Sequence, residues 1–183
     1  MRYVTKDKPE PDIVGIRMTP GTSLGPELER LGDLLRQRDL QVAVAESMTG
    51  GLLAAALADL AESSKRFLGG VVSYTADKKM DVLGVPESTI NKDGVVSEAT
   101  ARLMAEGARR LFDAGLAISV TGVAGPESQD GKPVGLTYIG VALDGRSEVR
   151  EYRWQGGRAA NRLASVEAAI ALAADVIDIA DSW

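Results

Sequence analysis

"AVAESMTGGLLAAALADL" (residues 43–60) passes from an apolar run through the hexad Glu46-Ser47-Met48-Thr49-Gly50-Gly51 into a Leu/Ala segment. Gln41 to Ala45 suits a buried strand. Gly51 to Leu60 reads as a helix, and its alanines at 54, 55, 56 and 58 permit close packing. A strand, a glycine-rich bend and a helix together suit an anion. The first N–H groups of a helix lack internal partners and carry the positive end of its dipole. Gly50 and Gly51 admit a ligand close to the main chain, and Ser47 is a candidate nucleophile. The same pattern allows Ser47 or Thr49 to cap the helix, with the glycines serving tight packing. Glu46 fits a base, a ligand-binding acid or a group that orients the loop. Gly-Lys-Ser/Thr and GxGxxG are both missing here, so the standard nucleotide loops are not supported.

Outward from this stretch, strands and helices alternate. Residues 1–23 hold Pro9, Pro11, Pro20 and a Gly21-Thr22-Ser23 tract and read as an extension, with Ile13-Val14-Gly15-Ile16 as a possible edge strand. Residues 24–183 form the single domain. Pro26 opens a helix carrying Leu28, Leu31 and Leu35 and ending near Arg38. Gly69-Gly70 introduce a strand over Val71-Val72-Ser73-Tyr74, and Ala76 to Leu83 is a short helix broken by Gly84-Val85-Pro86. Ser97 caps the next helix, with Glu98 in its first turn and Leu103, Met104, Ala108, Leu111 and Phe112 on its apolar face. Leu116 to Val120 is a third strand, running into a Thr121-Gly122-Val123-Ala124-Gly125-Pro126 loop at the strand's C-terminal end, where ligands bind in α/β sheets. Val134 to Leu143 and Glu148 to Trp154 pair as a hairpin about Asp144-Gly145. Leu163, Val166, Ile170, Ala173 and Ile177 stripe a final helix. The order predicts a single-domain three-layer α/β/α sandwich with a mixed sheet.

Composition narrows the chemistry. The chain has 183 residues and 45% hydrophobic content, enough for a core, but only 4% aromatics, so the core rests on Val, Ile, Leu and Ala. A net charge of −5 argues against direct nucleic-acid binding, which needs clustered Lys and Arg. With no cysteine and no histidine, a Ser-His-Asp triad, thiol chemistry and His-ligated zinc are all excluded. What remains is Ser or Thr with a Lys or Tyr base, carboxylate acid/base work, or an oxygen-ligated metal. No apolar run reaches the roughly 18 residues of a membrane span, and the start lacks a signal-peptide core. The expectation is a cytoplasmic protein without membrane contact.

Five segments carry more than their local pattern. They are ESMTGG (46–51), GGVVSYTADKKMDVLGVP (69–86), DGVVSEATARLMAEGARR (93–110), VTGVAGP (120–126) and KPVGLTYIGVA (132–142). In this order and spacing they resemble the C-terminal domain of the CinA family of competence/damage-inducible proteins, from about residue 26 to the end. That family includes stand-alone nicotinamide mononucleotide deamidases. The resemblance implies hydrolysis of the carboxamide of this pyridine mononucleotide, without cofactor or metal, by a homo-oligomer. It implies a catalytic group of Ser47, Tyr74 and Lys79, with either a lysine of lowered pKa or a tyrosinate as base. It places Arg162 in the motif of the final helix, with Arg158 a second candidate for the phosphate; either also reads as an ordinary surface cation. Glu46, Thr49, Gly50, Gly51, Thr121, Gly122 and Gly125 complete the implied substrate site. Two positions depart from the family pattern. Met48 stands where Cys is usual, and Glu127-Ser128-Gln129-Asp130-Gly131 replaces a glycine-rich loop. These departures motivate the competing expectation, a catalytically silent ligand- or partner-binding relative. Larger CinA proteins also carry an N-terminal domain resembling molybdopterin-binding proteins, linked to pyrophosphatase activity; 183 residues leave no room for it, so that activity is not expected.

Overall fold

The computed structural model describes residues 24–179, so the expected extension over 1–23 and its edge strand lie outside the described residues. The elements run α1 (Leu24–Gln37), β1 (Val42–Glu46), α2 (Leu52–Ala58), α3 (Ser63–Arg66), β2 (Phe67–Val72), α4 (Ala76–Leu83), α5 (Glu87–Asp93), α6 (Glu98–Phe112), β3 (Leu116–Gly122), β4 (Leu136–Leu143), β5 (Arg146–Arg153) and α7 (Arg158–Ile179). They form a mixed five-stranded sheet in the order β2-β1-β3-β4-β5. β1 is parallel to both β2 and β3, while β4 is antiparallel to β3 and to β5. Helices cover both faces, as the strand–helix alternation requires.

Side-chain size sorts the two faces. Val42, Val44, Leu116, Ile118 and Val120 pack into one large cluster with α1, α2 and α7. The alternate residues Ala45 and Ala117 face Met104 and Ala108 of α6. Small residues let α6 lie close: a Cβ at Gly140 would stand 2.8 Å from the Ala101 carbonyl, and Ser119 Oγ donates to that carbonyl at 2.6 Å. No helix among the described residues is long and apolar enough to cross a membrane.

Four details differ from the sequence reading. Gly69-Gly70 lie inside β2, and Tyr74 lies beyond its end. The reason is steric, since a Cβ at Gly70 would overlap Val44 Cγ2 on the neighbouring strand. The register steps between the pairs Val42–Phe67 and Ala43–Gly69. α3 and α5, four and seven residues long, went unpredicted because they are too short to show a helical period. Thr121 and Gly122 extend β3 and are not part of a loop, because their partners on β4, Tyr138 and Thr137, continue the ladder.

Candidate active site

The two parallel ladders run one residue past the strand ends. Ser47 N–H donates to Val120 O at 3.0 Å, and Ser73 N–H donates to Glu46 O at 2.8 Å. The C-terminal ends of β1, β2 and β3 are thereby locked side by side, and the turn after β1 presents Ser47. Gly50 N–H closes that turn on Ser47 O at 3.1 Å, and Gly50 adopts a left-handed φ of 59°.

The expected cap on α2 is neither Ser47 nor Thr49. The N-cap is Gly51, without a side-chain cap bond. Glu46, with none of its surface exposed, folds its carboxylate onto the helix start instead. Its oxygens accept from Gly51 N–H at 2.9 Å, Leu53 N–H at 3.2 Å and Ala54 N–H at 2.8 Å. The helix N-terminus read as an anion site is thus filled by the chain's own anion. Three main-chain donors orient Glu46, so the orienting role is the one the geometry supports.

Lys79 comes from the first turn of α4, whose N-cap Thr75 accepts from Lys78 N–H at 3.4 Å. By residue type a helix lysine belongs in water, and its neighbour Lys78 does pair with Asp81 at the surface. Lys79 instead is 2% exposed. Its Nζ lies 3.1 Å from Ser47 Oγ and donates to Ser73 O at 2.7 Å. Burial lowers its pKa from 10.5 to about 8. A neutral amine here donates to the Ser73 carbonyl and turns its lone pair to the serine hydroxyl, which is the arrangement a general base needs.

Tyr74 is not the third member of a hydrogen-bonded triangle. It is 54% exposed, and its hydroxyl accepts from Arg158 Nη2 at 2.8 Å. Arg158 Nη1 donates to Gly125 O at 2.8 Å. The guanidinium therefore bridges the segments after β2 and after β3 at the mouth of the pocket.

That pocket has a cavity volume of about 160 Å³ and is lined by Ser47, Lys79, Tyr74, Thr121, Gly122, Gly125 and Arg158 of the expected residues. Met48, Val95, Val96, Val123, Ala124, Glu127 and Gln129 complete the lining. Thr121 Oγ1 donates to Val95 O at 2.8 Å, so it holds the α5–α6 connection as a wall. A Cβ at Gly122 would stand 2.5 Å from Met48 Sδ, and Thr137 Oγ1 donates to that sulfur at 3.4 Å. Gly122 thus makes room for Met48 as the floor. Glu46, Thr49, Gly50, Gly51 and Arg162 do not line the cavity.

Asn161, which the sequence reading missed, holds the pocket-lining segment at Ala124. It is 1% exposed, accepts from Gly156 N–H at 3.0 Å and donates to Ala124 O at 3.0 Å. An uncharged polar side chain between Arg158 and Arg162 at the start of α7 was the available signal.

The chain matches the CinA C-terminal domain family over residues 26–177. A relative from Desulforamulus reducens, named "Putative competence-damage inducible protein", is 47% identical over 143 residues, covering 78% of this chain and 35% of the relative. The chain spans about a third of the length of the curated relatives it matches. A solved CinA superfamily protein from Klebsiella pneumoniae superposes with a TM-score of 0.82 at 32% identity, over 86% of this chain and 99% of that one. The competence/damage inducible protein CihA from Agrobacterium tumefaciens gives 0.73 at 39% identity, over 80% and 93%.

Proposed function

The chain belongs to the CinA C-terminal domain family, and from that premise we propose that it hydrolyses the carboxamide of nicotinamide mononucleotide to nicotinate mononucleotide and ammonia. The observation that carries this reading is the buried Lys79 Nζ, 3.1 Å from Ser47 Oγ and without a carboxylate partner among the described residues. Neutral Lys79 takes the serine proton as Oγ bonds to the carboxamide carbon. The resulting ammonium passes that proton to the amide nitrogen, the C–N bond breaks, and ammonia leaves an ester on Ser47. Water then attacks the ester carbon, with Lys79 taking its proton. The C–Oγ bond breaks, the proton returns to Oγ, and the acid product departs. Met48 follows the nucleophile and lines the pocket, so its main-chain N–H is the donor this mechanism assigns to the oxyanion. Arg158, aimed by Tyr74 and Gly125, receives the phosphate at the mouth.

Ammonia release from nicotinamide mononucleotide tests the reading, with wild type, Ser47→Ala and Lys79→Ala compared. Turnover by the wild type, lost by about 10³-fold or more in both variants, supports it. A folded wild type with no turnover favours the silent ligand- or partner-binding alternative. Turnover that survives Ser47→Ala excludes the serine as nucleophile.

A further inference from the structure

Arg158 and Arg162 stand four residues apart, so one face of α7 carries both, yet they serve different places. Arg158 lines the pocket and Arg162 does not. Arg162 Nη2 donates to the main-chain carbonyl of Thr49 at 2.6 Å, a short, charge-assisted bond. A Cβ at Gly50 would stand 3.3 Å from the same nitrogen. Thr49 is fully buried, and the carbonyl it offers belongs to the turn that Gly50 N–H closes on Ser47 O. Arg162 Nε is buried with no hydrogen-bond partner, and Arg162 has no ion pair among the described residues. The hydrogen bond that Arg162 makes among the described residues is thus to a main-chain carbonyl.

Its neighbours on α7 do the same. Arg158 grips Gly125 O and Asn161 grips Ala124 O, so the first five residues of α7 hold three carbonyls on the two segments that flank the pocket. Of the three, only Arg162 reaches the nucleophile's own turn.

We propose that Arg162 is a positioning residue. Through the Thr49 carbonyl it fixes the Ser47 turn so that Oγ meets Lys79 Nζ, and it does not anchor the substrate's phosphate. This rests on Ser47 being the attacking atom, as in the reading above.

The test uses two readouts on the full chain: steady-state deamidation, and covalent labelling of Ser47 by an arylsulfonyl fluoride followed by mass spectrometry. In labelling, Oγ bonds to sulfur, fluoride leaves and Lys79 takes the proton, so the rate reports the Ser47–Lys79 geometry without any substrate. Arg162→Met should lower kcat on the order of 10²-fold, with KM near the wild-type value, and should slow labelling in proportion. Arg162→Lys should not rescue either rate, because a flexible ammonium cannot reproduce the guanidinium's fixed reach. Should Arg162→Met fail to fold, Arg162→Lys carries the same comparison. A raised KM with unchanged kcat, rescue by Lys, or labelling as fast as wild type overturns the inference in favour of a phosphate anchor. If nicotinamide mononucleotide is not hydrolysed but labelling still depends on Arg162, the inference stands and the substrate reading falls. A wild type whose Ser47 does not label overturns the inference.

Discussion

Replacing Lys79 with Met should change stability in a way that reverses sign with pH. The lysine is 2% exposed, and burial lowers its pKa from 10.5 to about 8. At 1.36 kcal/mol per pH unit, that lowering is worth about 3 kcal/mol. The sign follows from proton counting. Between about pH 8 and pH 10.5 the unfolded chain holds the lysine proton and the folded chain does not. Wild-type stability therefore rises with pH across that window, and below it the folded state bears the full cost of a buried cation. Met fills the same stem volume and carries no charge. It forfeits the bond to Ser73 O and leaves Ser47 Oγ with one partner fewer, a loss of about 1–2 kcal/mol. Lys79→Met should then be about 1–2 kcal/mol more stable than wild type near pH 7, and less stable by a similar amount near pH 11. Urea unfolding of the two proteins across this range measures the difference, and titrations common to both cancel. A difference that does not change with pH would refute the reasoning, because Lys79 would then titrate as an ordinary surface lysine and could not serve as base at neutral pH. The kinetic counterpart is a wild-type kcat/KM that climbs about tenfold per pH unit below about 8 and then levels.

Three further outcomes are expected. Tyr74→Phe removes the acceptor that aims Arg158, so KM should rise several-fold with kcat nearly unchanged; a collapse of kcat would restore tyrosine as the base. Glu46→Gln turns one of the oxygens that bind three main-chain donors into a donor itself, and chemical denaturation should show a loss of about 2–3 kcal/mol. Gly107→Ala sets a methyl against the Leu83 carbonyl where α6 crosses α4. A gain in helix propensity of up to about 1 kcal/mol is outweighed by overpacking, so the melting temperature should fall.

The layers were legible because they rest on apolar runs and periods. Val42–Ala45, Leu116–Val120 and the α7 stripe announce themselves in one dimension, as does the Asp144-Gly145 hairpin. The site was legible as a set of segments but less so as a set of roles. Nothing local tells Lys78 from Lys79; the strand end at Val72 and the cap at Thr75 decide which one points inward. Glu46 looks like chemistry until α2 is placed over it, and only then do its oxygens meet three N–H groups. Arg158 and Arg162 share a helix face, but about 6 Å of rise along α7 delivers them to different loops. Tyr74 followed the same logic in reverse: two residues past the strand, it is released from the sheet and leans on Arg158.

The parallel pairing of β1 and β2 has a consequence for how the protein becomes competent. Ser47 and the Ser73 carbonyl that holds Lys79 each continue a ladder by one residue, with no slack between strand and site. A slip of one residue in β1 would turn Ser47 to the opposite face of the sheet. Parallel neighbours joined by a crossover are also among the slower contacts to form. The contact between Ser47 and Lys79 therefore exists only after the sheet has settled into its one correct alignment. A misassembled chain carries the same serine and the same lysine apart from each other, so under the proposed mechanism correct folding itself acts as the activation step.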